Sequence, residues 1–432
     1  MGEGICHSRE IKRFEALESN VRSYSRSFPA IFSRARGSIM LTEDGREVID
    51  FLSGAGALNY GHNNSAIREA VAQYLASDAV VHGLDMVTPA KLEFMDTFSS
   101  TILRERNLDY RFQFTGPTGA NAIEAALKLA RKVTGRHNII TFTRGYHGMS
   151  LGAIAASGNR FYRDASGVSL SGTTFMPFDG YFGPSIDTAD YMRGILADES
   201  SGVDRPAAIL VETVQGEGGI NVAGAQWLRS IQALARDVGA LFIVDDIQMG
   251  CGRTGKFFSF ECAQLSPDIV AMSKSLSGYG LPLSMLLIKE EFDVWQPGEH
   301  TGTFRGNNLA LVSANAAVNI YWRSPTFSQQ IEATGKVIRS RLEVIASKHT
   351  NNFAVRGRGM ALGFDCKTAG IAAATTRKAF EKGLIIERCG PIDEVVKFLP
   401  ALTINSDTLH QGLDLFEQAL AETLREDRVI SP

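Results

Sequence analysis

The sequence predicts a large α/β domain on a mostly parallel central sheet, joined to a smaller C-terminal α+β domain. Two patterns predict it. Through the middle of the chain, short apolar runs without polar alternation recur between helical stretches, and such runs read as strands covered on both faces. After Asn308 that rhythm gives way to long helices with a few short strands among them. The length of 432 residues agrees, being too great for one ordinary domain and comfortable for two sharing a core.

The first element is a hairpin over Gly37–Gly45 with Asp44-Gly45 at its turn. Residues 1–60 are expected to pack with the small domain, and residues 61–306 to form the large one. In the large domain the helix Asn121–Thr134 places Ala122, Ile123, Ala126, Leu127 and Ala130 on one stripe, and Gly135 closes it. Strands are expected at Asn138–Phe142, Ala208–Glu212, Leu241–Asp245, Ile269–Met272 and Met285–Ile288. Strand–helix alternation of this kind builds parallel sheets. Residues 307–432 form the small domain, with a helix through Trp322, a second over Phe327–Lys348, a third near Ala372–Lys382 and an amphipathic one over Asp407–Leu424. Repeats and low-complexity segments are absent.

Composition removes several classes of function. With 44 basic and 47 acidic residues interspersed, no basic face offers itself to nucleic acid or to a membrane surface. Cys6, Cys251, Cys262, Cys366 and Cys389 contain no CxxC pair and are odd in number, which argues against a metal cage and a disulfide framework. No run approaches the ~18 apolar residues of a membrane span, and the charged stretch Met1–Phe14 lacks the apolar core of an export signal. Gly2 is followed by Cys6 where a myristoylation signal wants Ser or Thr. A cytoplasmic location is expected.

The residues that carry chemistry fall at strand ends. Lys274 follows the strand Ile269–Met272 directly, at the carboxyl edge where α/β sheets bind ligands. Alone it reads as a solvated loop lysine. Its neighbours change that reading. Asp245 ends the strand Leu241–Val244, and a carboxylate there can pair with a ring nitrogen and keep it protonated; the plain reading is a helix N-cap. Gln248 is placed to donate to a phenolic oxygen. Thr115–Asn121 is a small-residue turn feeding a helix, so its free N–H groups and the helix dipole can hold a phosphate, although such turns more often simply cap. Tyr146, after the strand Asn138–Phe142, can lie over a flat ring, and His147 reads as a structural histidine.

Together these residues resemble the class III (ω-) aminotransferases of pyridoxal-phosphate fold type I. The resemblance runs through Gly61-His62-Asn63, Gly145–Gly148, Val211–Gly219, Val244–Gly255, Ser273-Lys274 and Gly302-Thr303-Phe304. Gly54–Asn64, His82–Met86 and Trp295–His300 are similar to the diaminobutyrate–2-oxoglutarate transaminases of ectoine biosynthesis. The resemblance implies pyridoxal 5'-phosphate bonded to Lys274, with Asp245 at the ring nitrogen, Gln248 at the phenolic oxygen and Tyr146 stacked on the ring. It implies Thr118 and Gly119 at the phosphate, with Thr303 reaching it from a second subunit of a homodimer. Glu217, Gly54, Ala55 and Asn59 would meet small amino-acid and oxo-acid or semialdehyde substrates. Two positions depart from many relatives. Pro117 replaces a glycine and removes an N–H from the phosphate cup. Lys397 stands where an arginine would grip a substrate carboxylate and is expected to bind substrate, although a lysine cannot form that fork. The implied reaction moves an amine from L-glutamate to L-aspartate 4-semialdehyde; ornithine- or aminobutyrate-type specificity and a semialdehyde aminomutase are the alternatives.

Overall fold

The computed structural model describes residues 9–430. Cys6, Gly2 and the first half of the Met1–Phe14 stretch lie outside them. The four remaining cysteines are free thiols.

The apolar runs do form the central sheet. Ile139–Phe142, Ala208–Val211, Leu241–Asp245, Ile269–Met272 and Met285–Ile288 are buried at every position, as expected for strands covered on both faces. Seven strands run in the order Arg111–Phe114, Met285–Ile288, Ile269–Met272, Leu241–Asp245, Ala208–Val211, Ile139–Phe142, Thr173–Met176. Only Met285–Ile288 is antiparallel to both neighbours; the other pairings are parallel. The carboxyl ends of the parallel strands therefore open on one edge. Helix Gly119–Thr134 covers one face with its Ala122, Ile123, Ala126, Leu127 and Ala130 stripe. It starts two residues earlier than expected because Thr118 and Asn121 form a reciprocal capping box, and Gly135 ends it at φ 66°.

The C-terminal portion is built on a four-stranded antiparallel sheet in the order Ala354–Arg358, Ala361–Asp365, Val395–Phe398, Glu387–Cys389. Helices Ala369–Glu381 and Ser406–Ile430 pack on one another beside it. Near the N-terminus, Phe32–Arg36, Ile39–Thr42 and Glu47–Asp50 form a meander whose second turn contains Asp44-Gly45. Glu47–Asp50 then pairs in parallel with Leu384–Ile385, so the two ends of the chain share a sheet. Helix Asn308–Tyr321 packs on Ser65–Ala76, on Pro89–Phe98 and on the turn Lys274–Ser277. It thus backs Lys274. Among the described residues no helix is long and apolar enough to cross a membrane.

Candidate active site

Strand register delivers the site. Asp245 pairs with Ala271 in the adjacent parallel strand, so Asp245 and Lys274 emerge side by side at the carboxyl edge. Glu212 leaves the same edge after Ala208–Val211, and Tyr146 and His147 after Ile139–Phe142. These residues line a cavity of about 340 Å³ together with Thr118, Gly119, Ile247, Gln248 and Glu217. The expected convergence of Lys274, Asp245, Gln248, Tyr146, Thr118 and Gly119 is therefore present in the geometry.

Asp245 is held for one orientation. Its Oδ2 lies 2.7 Å from His147 Nδ1, and its Oδ1 accepts from the Ile247 N–H at 3.1 Å. The other ring nitrogen of His147 lies 3.3 Å from Thr141 Oγ1, and its backbone N–H donates to Ser157 Oγ at 2.8 Å. Burial disfavours the imidazolium, yet the hydrogen bond and charge of Asp245 outweigh it and raise the His147 pKa. His147, which reads from the sequence as a structural histidine, thus orients Asp245. Glu212 was missed, although it obeys the same strand-end rule as Asp245. Its carboxylate accepts from the N–H groups of Tyr146 and Gly216 at 3.0 and 3.3 Å. Burial, reinforced by Asp245 and opposed by His147, lifts its pKa to about 7.

Lys274 has φ +52°, a region that non-glycine residues seldom occupy. Its Nζ donates to Ala55 O at 3.1 Å, and Gln248 Nε2 donates to the same carbonyl at 3.0 Å. That carbonyl belongs to an unusual turn. Ser53, Gly54, Ala55 and Gly56 all carry positive φ, at 47, 60, 54 and 83°. Asp50 secures its start by accepting from the N–H groups of Leu52 and Ser53, both at 2.8 Å, and is itself bound by His62 at 2.7 Å. Burial lowers the Lys274 pKa, with Lys397 adding to the effect and Glu217 opposing it. The amine is thus biased toward its neutral, nucleophilic form.

Lys397 behaves differently from expectation. It is fully buried, lines neither this cavity nor a second one that adjoins it beyond Tyr146 and Glu217, and pairs with Glu217 at 2.6 Å and Glu387 at 3.0 Å. Tyr24 donates to the far oxygen of Glu387 at 3.2 Å. Burial opposes its charge, but the two carboxylates hold its pKa well above the usual value. A lysine so enclosed supports Glu217 rather than meeting substrate, because the chain packs around it on the central strand of the small sheet. Glu217 in turn is pulled down to about 2: burial raises it, and Lys397 and Lys274 more than compensate. Asn59 is also a correction. Its amide is spent within the core, donating to Cys251 O at 3.0 Å and accepting from Arg253 at 2.6 Å, so it fastens the turn instead of facing a ligand. Thr303 lies in an exposed segment and lines neither cavity.

The donor set fits pyridoxal 5'-phosphate. A buried carboxylate faces a cavity that also holds an amine of lowered pKa, an aromatic ring and the N-terminus of a helix of 16 residues. Gln248 Oε1 is buried without a partner, an unmet polar atom that a ligand in this cavity can satisfy.

Comparison with known proteins agrees with this chemistry. An uncharacterized aminotransferase of Sinorhizobium fredii is 58% identical over 96% of this chain and 93% of its own length. Diaminobutyrate–2-oxoglutarate transaminases of Bordetella parapertussis and Halomonas elongata are 56% and 52% identical, covering 97% and 93% of this chain and 97% of each relative. In three dimensions an aminotransferase of Bacillus anthracis superimposes with a TM-score of 0.86 at 23% identity, over 98% of this chain and all of its own. Residues 21–420 match the description of the class-III aminotransferases, and the chain belongs to that family.

Proposed function

We propose that the chain moves the amino group of L-glutamate to L-aspartate 4-semialdehyde, reversibly giving L-2,4-diaminobutyrate and 2-oxoglutarate. The observation that carries transamination is the adjacent placement of Lys274 and Asp245 at one strand edge. The choice of substrates is supported by the full-length likeness to enzymes named for diaminobutyrate and 2-oxoglutarate.

In this reading Lys274 bonds the cofactor, Asp245 pairs with its ring nitrogen, Gln248 meets its phenolic oxygen and Tyr146 lies on its ring. Thr118 and Gly119 hold the phosphate, joined by Thr303 from a second subunit of a homodimer. Bound there, pyridoxal phosphate supplies an aldehyde that takes up the amine and a ring that accepts electrons. The protein does the rest. Lys274 Nζ would take the proton from the amine-bearing carbon of the substrate and deliver it to the cofactor carbon that had carried the aldehyde, reversing that transfer in the second half-reaction, aided by burial that lowers the proton affinity of the amine. His147 holds the Asp245 carboxylate in place, so its negative charge is fixed before reaction and needs no reorganisation. Glu217, Gly54 and Ala55 border the substrate, with Lys397 and Asn59 as their supports. Residues 1–60 and 307–432 flank the large domain of residues 61–306, and the enzyme works in the cytoplasm, with ectoine biosynthesis as the pathway suggested by its relatives.

An acceptor screen tests this. With L-glutamate as donor, aspartate 4-semialdehyde should be converted faster than succinate semialdehyde or glutamate semialdehyde, read as 2-oxoglutarate released. Equal rates on all three would overturn the substrate assignment.

A further inference from the structure

A second cavity of about 550 Å³ adjoins the first, and the two share Tyr146 and Glu217 as common wall. Its charged lining is Arg144, Arg160, Arg388, Glu217 and Asp393. Most of these charges are already engaged. Arg160 pairs with Asp164 at 3.2 Å, Arg388 with Asp393 at 3.8 Å and Glu217 with Lys397. Arg144 is the exception: among the described residues its guanidinium makes no ion pair and no hydrogen bond. It instead lies over the Tyr181 ring at 5.4 Å. A contact of this kind uses none of the guanidinium's N–H donors and leaves them available for a carboxylate.

The backbone of Arg144 is built for that position. Its φ is +65°, a conformation that costs an arginine ~1 kcal/mol or more. Two glycines crowd it: a Cβ at Gly218 would strike Arg144 O, and one at Gly158 would come within 3.0 Å of Arg144 N. Gln215 fixes the preceding carbonyl, donating to Thr143 O at 2.8 Å, and Gly158 donates to Gly145 O at 2.8 Å. A strained arginine is thus held firmly at the wall of a cavity next to the reacting amine.

The substrates of the proposed reaction share one geometric feature. In glutamate the reacting α-carbon lies three bonds from the carbon of the side-chain carboxylate. In aspartate 4-semialdehyde the reacting aldehyde carbon lies three bonds from the carbon of the α-carboxylate. One cation at a fixed distance can therefore serve both halves of the reaction, and Lys397 is not free to be that cation. We propose that Arg144 binds this remote carboxylate of both amino donor and acceptor. The assignment rests on the transaminase reading above.

The test compares L-glutamate with L-glutamine, its uncharged isostere, in the conversion of bound cofactor to its amine form. Arg144→Gln should lower kcat/KM for glutamate by about 30- to 100-fold, as for a lost charge-assisted hydrogen bond, and leave glutamine within about twofold. Arg144→Lys should fall between. Glutarate, a dicarboxylate that cannot react, should bind the holoenzyme more weakly in Arg144→Gln by a similar factor, measured by calorimetry. Equal losses for glutamate and glutamine, or no loss for either, would overturn the assignment. Wild-type enzyme that reacts with glutamate but ignores aspartate 4-semialdehyde would overturn the diaminobutyrate reading, while the glutamate–glutamine ratio would still decide the role of Arg144.

Discussion

Lys274 and Lys397 are both withdrawn from bulk water, and the surroundings of each point its amine in opposite directions. Lys274 stands at a strand end, with positive φ and one carbonyl as its hydrogen-bond partner. Lys397 stands mid-strand between two antiparallel neighbours, with two carboxylates in contact. Burial works against charge in both, yet the first pKa falls and the second rises. The number of anionic partners decides: a buried lysine without one is a reagent, and with two it is a strut.

The sharpest way to break this comparison is to remove each lysine. Lys274→Ala should abolish the visible absorbance of bound cofactor and cut transamination by at least ~1,000-fold, since on the proposed reading it removes both covalent anchor and proton carrier. The fold should survive, as judged by circular dichroism. Lys397→Met should do the reverse, lowering stability by about 3 kcal/mol in urea titrations because the buried Glu387 and the part-buried Glu217 lose their cation. Adding Glu387→Gln should recover part of that loss. A stability change below ~1 kcal/mol in Lys397→Met would show that it is no strut.

This contrast explains what could be read from the chain and what could not. Strands such as Ile269–Met272 are legible because burial on both faces leaves a uniformly apolar run. Lys274, Asp245 and Tyr146 are legible because a chemically able residue just past such a run must emerge at the sheet edge. Glu212 was equally legible and overlooked. Lys397 was not, because Glu217 and Glu387 reach it through tertiary folding and cross-strand pairing that local sequence does not encode. Nor was the positive-φ turn Ser53–Gly56: Gly-Ala-Gly permits it, but only Asp50 and the donors from residues 248 and 274 select it. Asn59 misled for the same reason, since its partners Cys251 and Arg253 are distant in the chain.

Smaller effects refine the account of the two carboxylates beside the lysines. His147→Gln should reduce activity about 10- to 100-fold by releasing Asp245 from a charge-assisted hydrogen bond. In Asp245→Asn the His147 titration, followed by NMR, should drop below the ordinary imidazole value, because burial then outweighs the remaining charge of Glu212. An unmoved titration would remove Asp245 as the cause. Glu217 carries a pH signature of its own. Its folded pKa lies at about 2, below the usual 4.5, so its stabilising contribution is complete above pH 4.5 and is lost as pH falls toward 2. The stability difference between wild type and Glu217→Gln should therefore shrink across that window. A difference that stays constant down to pH 2 would mean that Lys397 does not hold Glu217 charged.

The smallest expected effect isolates the backbone of Lys274 from its chemistry. Both Lys274→Ala and Lys274→Gly delete the amine, but only alanine keeps the Cβ that opposes φ +52°. Glycine gains unfolded-state freedom, which favours alanine in ordinary positions; at positive φ the steric term dominates. Lys274→Gly should therefore be the more stable of the two inactive proteins by about 1 kcal/mol in urea titrations. The opposite order would mean that the turn Lys274–Ser277 relaxes once the amine lets go of Ala55 O. In that case the strain at Lys274 would be sustained by its own hydrogen bond rather than by helix Asn308–Tyr321 packed behind it.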